Sequence, residues 1–463
     1  MCTCTTFCWS NVSAHNYYFA LFLAVRTFFT TFAKTKHFTS MRVLIINTSE
    51  KTGGAAVASN RLMNALNNNG VKARMLVRDK ETDEITVSPV GHPWLAQWAF
   101  LWERLCIFFH LHFSRKHLFE IDIANAGIDV THTRYFKEAD VIHLEWINQG
   151  MLSLNGIRRI LDSGKPVVWT MHDLWPATAI CHYARGCKSY QSSCHNCPLL
   201  PGRSDNDLSA KVWRKKRKII HNRTIHFVTC SKWLQRQAEV SGLFHHQTVT
   251  AIPNPINTHV FHPDNKEQAR RRLGLPVDKR IILFVSQKVT DERKGMAYFV
   301  EAVSKLADSD PTAKSTTAVA ILGGHGEEIA GRLALPAFPL GYVSDDRKIV
   351  DVYNSADVFV LPSLEDNLPN TIMEAMACGV PCVGFNVGGI PEMITNGITG
   401  YVAKERDADD LAKGIVWALD PSRSKSLSEQ SVSKVQLEYS EHAVAMKYID
   451  VYTDALAQKG YNI

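Results

Sequence analysis

The chain has 463 residues, of which 45% are hydrophobic and 21% are charged. This length and composition predict a soluble globular protein of two or three domains. The formal net charge of +7 permits attraction to an anionic membrane or substrate. Nucleic-acid binding is disfavoured, because no basic motif with interleaved aromatic residues accompanies this charge. The eleven cysteines are scattered, which favours a reducing compartment such as the cytoplasm over a disulfide-stabilised secreted fold.

Residues 1–40 differ from the rest of the chain. Their apolar stretch, residues 17–25, is interrupted by Arg26, well short of the roughly 20 residues that a membrane helix needs. No basic region precedes it and no small-residue cleavage site follows it, so a signal peptide is disfavoured. We expect a disordered or non-native extension, with folding that begins at Met41. A weak membrane anchor is the alternative.

The first predicted unit is a strand, a glycine-rich turn and a helix. Residues 42–48 form a continuous apolar run, Gly53 and Gly54 follow it, and residues 57–67 have a helical pattern. This order is typical of a Rossmann-like unit. The turn lacks the Gly-x-Gly-x-x-Gly pattern, which disfavours a nicotinamide dinucleotide site. Gly53 and Gly54 would let the backbone approach a ligand closely, unless they form a tight turn without one.

Two further segments leave alternatives open. Residues 94–119 are rich in Trp, Phe and Leu and contain several basic residues. They predict an amphipathic helix, which either lies on a membrane or packs on the protein core. The basic run at residues 211–218 is either a solvated helix face or a contact for an anionic acceptor or membrane.

His172 directly follows the predicted strand at residues 166–171. A side chain at the carboxyl end of a parallel strand is placed to contact a ligand, although a hydrogen-bonded structural histidine is the alternative. His143 follows the same pattern less clearly.

A cysteine-rich segment occupies residues 181–197. Its four thiols end in a Cys-x-x-Cys pattern and could hold a structural zinc ion, with Cys181, Cys187, Cys194 and Cys197 as ligands. The spacing is not that of a standard zinc finger. One or two disulfides, or four free thiols, are the alternatives.

A second α/β set begins at residues 280–286, which form the next predicted strand. The loop after it carries Lys288, Arg293 and Lys294. Cations at the carboxyl end of a strand suit a diphosphate, because charge-assisted hydrogen bonds are strong. The strand at residues 318–322 leads to Gly324, whose turn could admit a base or a phosphate.

The densest set of candidate ligands follows the apolar run at residues 358–361. It consists of loop residues, the start of a helix near Pro369 and a later glycine pair: Glu365, Asp366, Asn367, Asn370, Thr371, Glu374, Gly388 and Gly389. Open α/β sheets bind ligands at the carboxyl ends of their strands. Helix N-termini there attract phosphate, and carboxylates accept hydrogen bonds from sugar hydroxyls. The pattern therefore predicts a nucleotide-sugar site.

These residues resemble the retaining GT-B glycosyltransferases of family 4. The resemblance covers nearly all of residues 41–463 and is strongest at residues 366–374, 374–381, 388–392 and 396–400. It implies an α/β fold of two Rossmann-like domains that face each other across a cleft. The implied parts are an acceptor domain at 41–262 with the cysteine-rich insertion 181–197, a donor domain at 263–440, and a helix at 441–463 that packs back on the first domain.

The resemblance also implies residue roles. Asp366 would contact the donor sugar, although Glu365 beside it is the alternative, and Glu374 would bind the ribose hydroxyls. Lys294 matches the phosphate lysine of the family. Gln287 replaces the usual arginine, whose role Arg293 would take. Gly54 would lie near the donor or acceptor, and His172 near the reacting sugar.

The implied activity is transfer of a sugar from a nucleoside-diphosphate-sugar to a glycan or lipid-linked acceptor, with retention of configuration and without a catalytic cofactor. We expect a role in surface polysaccharide synthesis, in the cytoplasm or on the inner face of the membrane. A nucleotide-sugar epimerase of the same fold is one alternative. A non-catalytic protein that binds a sugar-nucleotide or a polysaccharide is the other.

Overall fold

The computed structural model describes residues 41–343 and 345–461. The predicted extension at residues 1–40 lies outside them. The described chain forms two parallel sheets with helices on their faces. No helix in these two ranges is both long enough and apolar enough to cross a membrane.

The first sheet contains seven strands, β1 to β7, with these bounds: Arg42–Ser49, Lys72–Asp79, Val87–Pro89, Val141–Leu144, Val167–Met171, His226–Thr229 and Thr248–Ala251. They are all parallel and lie in the order β3-β2-β1-β4-β5-β6-β7. The helices α1 to α6 span Gly54–Asn68, Pro93–His110, Arg134–Glu138, Leu154–Asp162, Leu208–Ile220 and Lys232–Glu239. Strands β4, β5 and β6 are wholly buried, as expected for a parallel sheet that is covered on both faces.

The second sheet contains six strands, β8 to β13: Arg280–Lys288, Thr317–Gly324, Ala337–Gly341, Val358–Leu361, Cys382–Phe385 and Gly400–Ala403. They are parallel and lie in the order β10-β9-β8-β11-β12-β13. The helices α7 to α14 span Lys266–Leu273, Met296–Ser309, Ala313–Thr316, Gly326–Ala330, Asp346–Asn354, Asn370–Ala377, Ile390–Met393 and Ala408–Ala418. Short 3-10 helices span Trp175–Ala177, Ser189–Gln191 and Glu292–Lys294.

The last two helices connect the domains. Helix α15, Pro421–Glu438, packs against α12 of the second domain, whereas α16, Glu441–Gln458, packs against α1 of the first domain. Tyr448 and Tyr452 of α16 are buried in the first domain's core. The two segments that connect the domains lie side by side. The Ile256 N–H of the first segment donates to the Tyr439 carbonyl of the second at 2.8 Å.

Strand order creates one crevice in each domain. In the first sheet β1 lies between β2 and β4, and in the second β8 lies between β9 and β11. At such a switch point the connections leave in opposite directions and open a crevice at the carboxyl ends of the strands. Residues from both crevices line one cavity. The predicted fold class, two Rossmann-like domains that face each other across a cleft, is confirmed.

Candidate active site

A cavity of about 410 Å³ lies between the carboxyl ends of the two sheets. Its walls in the first domain are Gly54, Ala55, Trp146, His172, Asp173, Tyr183, Cys230 and Asn254. Its walls in the second domain are Val285, Ser286, Gln287, Lys288, Asp291, Arg293, Lys294, Asp366, Asn367, Leu368, Pro369, Asn370 and Thr371. The site is therefore shared between the domains and depends on their relative position.

Two cations meet the buried carboxylate of Asp366. Lys294 Nζ lies 2.5 Å from Asp366 Oδ2, and Arg293 Nη1 lies 3.7 Å from the same oxygen. The Ser363 hydroxyl also donates to it, at 3.2 Å. Burial favours the neutral acid, but Lys294 and Arg293 outweigh it and lower the pKa of Asp366. Asp366 is therefore ionised at neutral pH, and two cations stand together at one end of the cavity.

Arg293 is held in position from two sides. Its Nη1 donates to the Glu365 carbonyl at 2.9 Å. Its guanidinium lies 5.4 Å from the ring centroid of Tyr183, within the range of a cation–π contact. Tyr183 belongs to the cysteine-rich insertion, so that insertion forms a wall of the cavity.

His172 is linked to a buried acid and a buried thiol. Its Nε2 lies 2.6 Å from Glu145 Oε2, and its Nδ1 lies 3.5 Å from Cys230 Sγ. Burial opposes the imidazolium form, but Cys230 and Glu145 together raise the pKa of His172 well above its ordinary value. Both ring nitrogens of His172 therefore have protein partners, so a hydrogen bond from His172 to a ligand would require one of these partners to be exchanged. His143, by contrast, is fully buried and bonds to Tyr452 and Thr170, at 2.7 Å in each case.

Asp173 joins the cavity to a chain of buried ionic groups. Its Oδ2 accepts from Trp146 Nε1 at 2.9 Å and lies 2.7 Å from His182 Nδ1. His182 Nε2 lies 2.6 Å from Asp122 Oδ2, and Asp122 pairs with Arg104 of α2. The chain fixes the Trp146 ring and the Asp173 carboxylate in the cavity wall.

The loop before α12 and the first residue of that helix bridge the domains with side-chain amides. Asn367 Oδ1 accepts from the Ser231 hydroxyl at 2.5 Å, and its Nδ2 donates to the His172 carbonyl at 3.2 Å. Asn370 Nδ2 donates to the Gly54 carbonyl at 3.0 Å, while its Oδ1 accepts from Asn254 at 2.9 Å. These bonds hold the two crevices in register.

Gly388 and Gly389 support this loop from behind. A Cβ atom at Gly388, whose φ is +59°, would lie 1.7 Å from the Asp366 carbonyl oxygen. A Cβ atom at Gly389 would lie 1.9 Å from the Asn367 carbonyl oxygen. No larger residue fits at either position without moving the loop.

Eight of the predicted site residues share the cavity: Gly54, His172, Arg293, Lys294, Asp366, Asn367, Asn370 and Thr371. Six do not line it: Gly53, Gly324, Glu365, Glu374, Gly388 and Gly389. Gly53 caps α1 and Gly324 ends β9. Glu365 presents its backbone carbonyl to Arg293.

Glu374 has protein partners on both carboxylate oxygens. Arg61 of α1 donates to Oε1 at 2.7 Å, and the Tyr353 hydroxyl donates to Oε2 at 2.7 Å. The predicted ribose contact would require Glu374 to exchange one of these partners. The contact stays a prediction, and the observed role of Glu374 is an ion pair between the domains.

The four insertion thiols line a separate cavity of about 160 Å³. Cys181, Cys187, Cys194 and Cys197 are all free. Burial raises the pKa of Cys194 and Cys197 to about 12, so both are neutral thiols at neutral pH. In the described ranges, no three His, Cys, Asp or Glu side chains converge closely enough to hold a metal ion. The zinc site stays a prediction.

Sequence reasoning missed several lining residues. Trp146 and Cys230 come within two residues of the ends of β4 and β6, and Asn254 follows β7. The strand-end rule that selected His172 would also have selected these three. Tyr183 could not be found in this way, because it lies in an irregular insertion.

The fold and the site together define a two-domain α/β protein with a cationic and amide-rich cleft. Two family models match this chain, one in each domain. The model described as Glycosyltransferase Family 4 matches residues 52–260, and the one described as Glycosyl transferases group 1 matches residues 279–421. The chain belongs to the group 1, family 4 glycosyltransferases, as its motifs predicted.

Curated relatives include D-inositol 3-phosphate glycosyltransferases. The protein from Thermobispora bispora is 30% identical over 232 residues, which are 47% of this chain and 54% of the relative. The one from Corynebacterium glutamicum is 26% identical and covers 63% of this chain and 70% of its own. The chain spans about half the length of several such relatives, with 54%, 49% and 50% covered in three of them.

Solved structures share the fold over most of the chain. Sucrose-phosphate synthase from Thermosynechococcus elongatus matches with a TM-score of 0.63 at 20% identity, over 90% of this chain and 100% of its own. The Anabaena protein HepE, in complex with UDP and glucose, matches with a TM-score of 0.59 at 14% identity, over 89% of this chain and 100% of its own. At these identities the likeness concerns the fold alone.

Proposed function

We propose that this protein is a retaining glycosyltransferase that uses a nucleoside-diphosphate-sugar. The observation that carries the proposal is the cavity between the sheets, where Arg293, Lys294 and Asp366 face His172 and Gly54. Cations on one wall suit a diphosphate, and the polar groups opposite suit a sugar. The UDP complex of HepE supports this class of donor.

The cations would stabilise the leaving group. As the bond between the sugar C1 and the diphosphate oxygen breaks, negative charge grows on the diphosphate. Arg293 and Lys294 are already in position, so no side chain must reorganise as this charge develops. These protein cations would serve where other enzymes use a divalent metal, which is why we propose catalysis without a cofactor.

Retention would follow from attack on the face that the diphosphate leaves. Each carboxylate in the cavity lining already has protein partners: Asp173 pairs with His182, Asp366 with Lys294, and Asp291 caps the turn at Arg293. Such pairing makes a carboxylate a weaker nucleophile, which favours direct transfer over a covalent glycosyl-enzyme intermediate. The acceptor oxygen would form its bond to C1 on the face that the diphosphate leaves, and the acceptor proton would pass to the departing phosphate oxygen.

His172 and Asp366 would orient the transferred sugar. His172 would donate to a sugar hydroxyl by exchanging its Nδ1 contact with Cys230, and Asp366 can accept from a hydroxyl while it holds Lys294. Positioning of this kind lowers the barrier because it removes translational and rotational freedom before reaction. Contact between the domains would exclude water and limit hydrolysis of the donor.

The acceptor is a glycan or a lipid-linked molecule in this proposal, with surface polysaccharide synthesis at the inner face of a membrane as the setting. The names of the curated relatives make D-inositol 3-phosphate a further acceptor to test.

A thermal-shift screen of nucleoside-diphosphate-sugars tests the donor, followed by incubation of each hit with and without acceptor. We expect stabilisation by one nucleotide class and acceptor-dependent release of the nucleoside diphosphate. An epimerase would convert the donor without any acceptor. A binding protein would be stabilised by a ligand without turnover of any donor or acceptor.

A further inference from the structure

Helix α2 buries two charged side chains and exposes several large apolar ones, unlike an ordinary surface helix. Glu103 is fully buried and Arg104 is 6% exposed, whereas Trp94, Trp98 and Trp102 are 59%, 64% and 51% exposed. We call the outer side the apolar stripe: Trp94, Trp98, Leu101, Trp102, Leu105 and Phe109. Their spacing of three and four residues places them on one side of the helix.

Buried polar contacts hold helix α2 against the domain in the orientation that exposes the stripe. Glu103 Oε1 accepts from the backbone N–H groups of Ile123 and Ala124, at 3.0 and 2.6 Å. Arg104 donates to the Leu118 carbonyl at 2.6 Å and pairs with Asp122. A Cβ atom at Gly150 would lie 2.5 Å from the Phe100 nitrogen, which shows how closely the helix backbone approaches the domain.

Cations lie beside the stripe. A groove of about 540 Å³ has Cys106 and His110 of α2 on one side and basic residues on the other, namely Arg158, Lys211, Lys215 and Lys218. The four basic residues are exposed, as are Arg115 and Lys116 beyond the end of α2. Tryptophan at an apolar surface, flanked by lysine and arginine, is the composition that suits the interface of an anionic bilayer.

We propose that the apolar stripe docks this protein on an anionic phospholipid surface. The tryptophans would enter the headgroup region while the flanking cations contact lipid phosphates. The position of the stripe relative to the main cavity also suits the proposed function. Phe119, which follows the stripe, lines a cavity of about 340 Å³ with Trp146, Asp173, Tyr183 and Arg293, which are walls of the main cavity. A lipid-linked acceptor would pass from the bilayer to the cleft along this path.

Cosedimentation of the full chain with vesicles tests the proposal. One set contains phosphatidylcholine alone, and the other contains phosphatidylcholine mixed with phosphatidylglycerol. We expect binding to the mixed vesicles that weakens with added salt. The triple variant W94S/W98S/W102S should bind these vesicles at least roughly tenfold more weakly than the parent chain. Reversal of charge in K211E/K215E/K218E should remove the preference for the anionic lipid.

Val416→Ser and Leu437→Ser are matched controls, because both side chains are exposed in the described structure, at 54% and 74%, and lie away from α2. They should bind like the parent chain. Circular dichroism and thermal unfolding check that every variant is folded. The vesicle assay does not depend on activity, so it succeeds or fails independently of the proposed glycosyl transfer.

Three outcomes would overturn the proposal. One is no preference for anionic vesicles. Another is unchanged binding by a folded W94S/W98S/W102S variant, which would assign the contact to another segment. The third is a parent chain that is dimeric in light scattering and becomes monomeric in the triple variant, since the stripe would then be a contact between copies.

Discussion

Arg61 and Glu374 form an ion pair between the two domains. The Arg61 Nη2 to Glu374 Oε1 distance is 2.7 Å, and the side chains are only 15% and 11% exposed. Removal of one partner leaves a charge that is largely cut off from water. This pair therefore connects the relative position of the domains to a residue that the sequence assigns to the donor site.

Arg61→Ala should destabilise the protein by about 2 kcal/mol, because it leaves the Glu374 carboxylate without its counter-ion. Chemical denaturation measures the change, and the R61A/E374Q double variant should recover part of it. Arg42→Ala is the control, since the Arg42–Asp140 pair is 52% and 31% exposed and should contribute less than about 1 kcal/mol. Equal losses for the two single variants would contradict the assigned importance of the pair.

Glu145→Gln should lower the pKa of His172, because the substitution removes a buried negative charge 2.6 Å from Nε2. The ordinary histidine pKa is about 6.5, and the raised folded pKa means that His172 contributes stability fully below that value. This contribution is lost as the pH rises through the folded pKa. NMR titration of His172 measures the shift, and an unchanged pKa in folded E145Q protein would refute the coupling.

Tyr183→Ala should weaken donor use by roughly tenfold in kcat/KM, because it removes the ring that lies against the Arg293 guanidinium. Tyr183→Phe keeps an aromatic ring and should stay close to the parent enzyme. Steady-state kinetics with the donor that the screen identifies would separate the two. Loss of activity in both variants to the same extent would assign the effect to the hydroxyl instead.

The predicted zinc site implies about one zinc ion per chain, held by the four insertion thiols. Metal analysis of protein purified under reducing conditions measures the content, and Cys194→Ser should lower it. Cys106→Ser is the control, because Cys106 is a free thiol outside the cluster. A protein that contains no zinc, and whose four insertion cysteines all titrate as free thiols, would contradict the zinc site and support the free-thiol alternative.

Much of the fold followed from local patterns. The apolar runs that predicted β1, β5, β8 and β11 are buried strands of parallel sheets. The strand-end rule also led to His172, Lys294 and Asp366, which share one cavity. These predictions were accessible because each depends on residues that are neighbours in sequence.

Other features could not be predicted, because they depend on contacts between distant residues. Arg61 and Glu374 are 313 positions apart, and no local pattern pairs them. The side of α2 that faces the protein could not be predicted either. Composition indicated an amphipathic helix, but only the partners of Glu103 and Arg104, which lie 14 to 21 residues further along the chain, turn its charged side inward.

The central claim is that the cavity between the sheets binds a nucleoside-diphosphate-sugar through Lys294 and Asp366. Calorimetric titration with the donor from the screen tests it most directly, in the parent chain and in Lys294→Ala, with Lys404→Ala as a control outside the cavity. We expect affinity to fall at least tenfold and transfer by about a hundredfold or more in Lys294→Ala, because a preorganised cation is lost, with neither changed in Lys404→Ala. Donor binding and transfer at parental levels in folded Lys294→Ala protein would contradict the account.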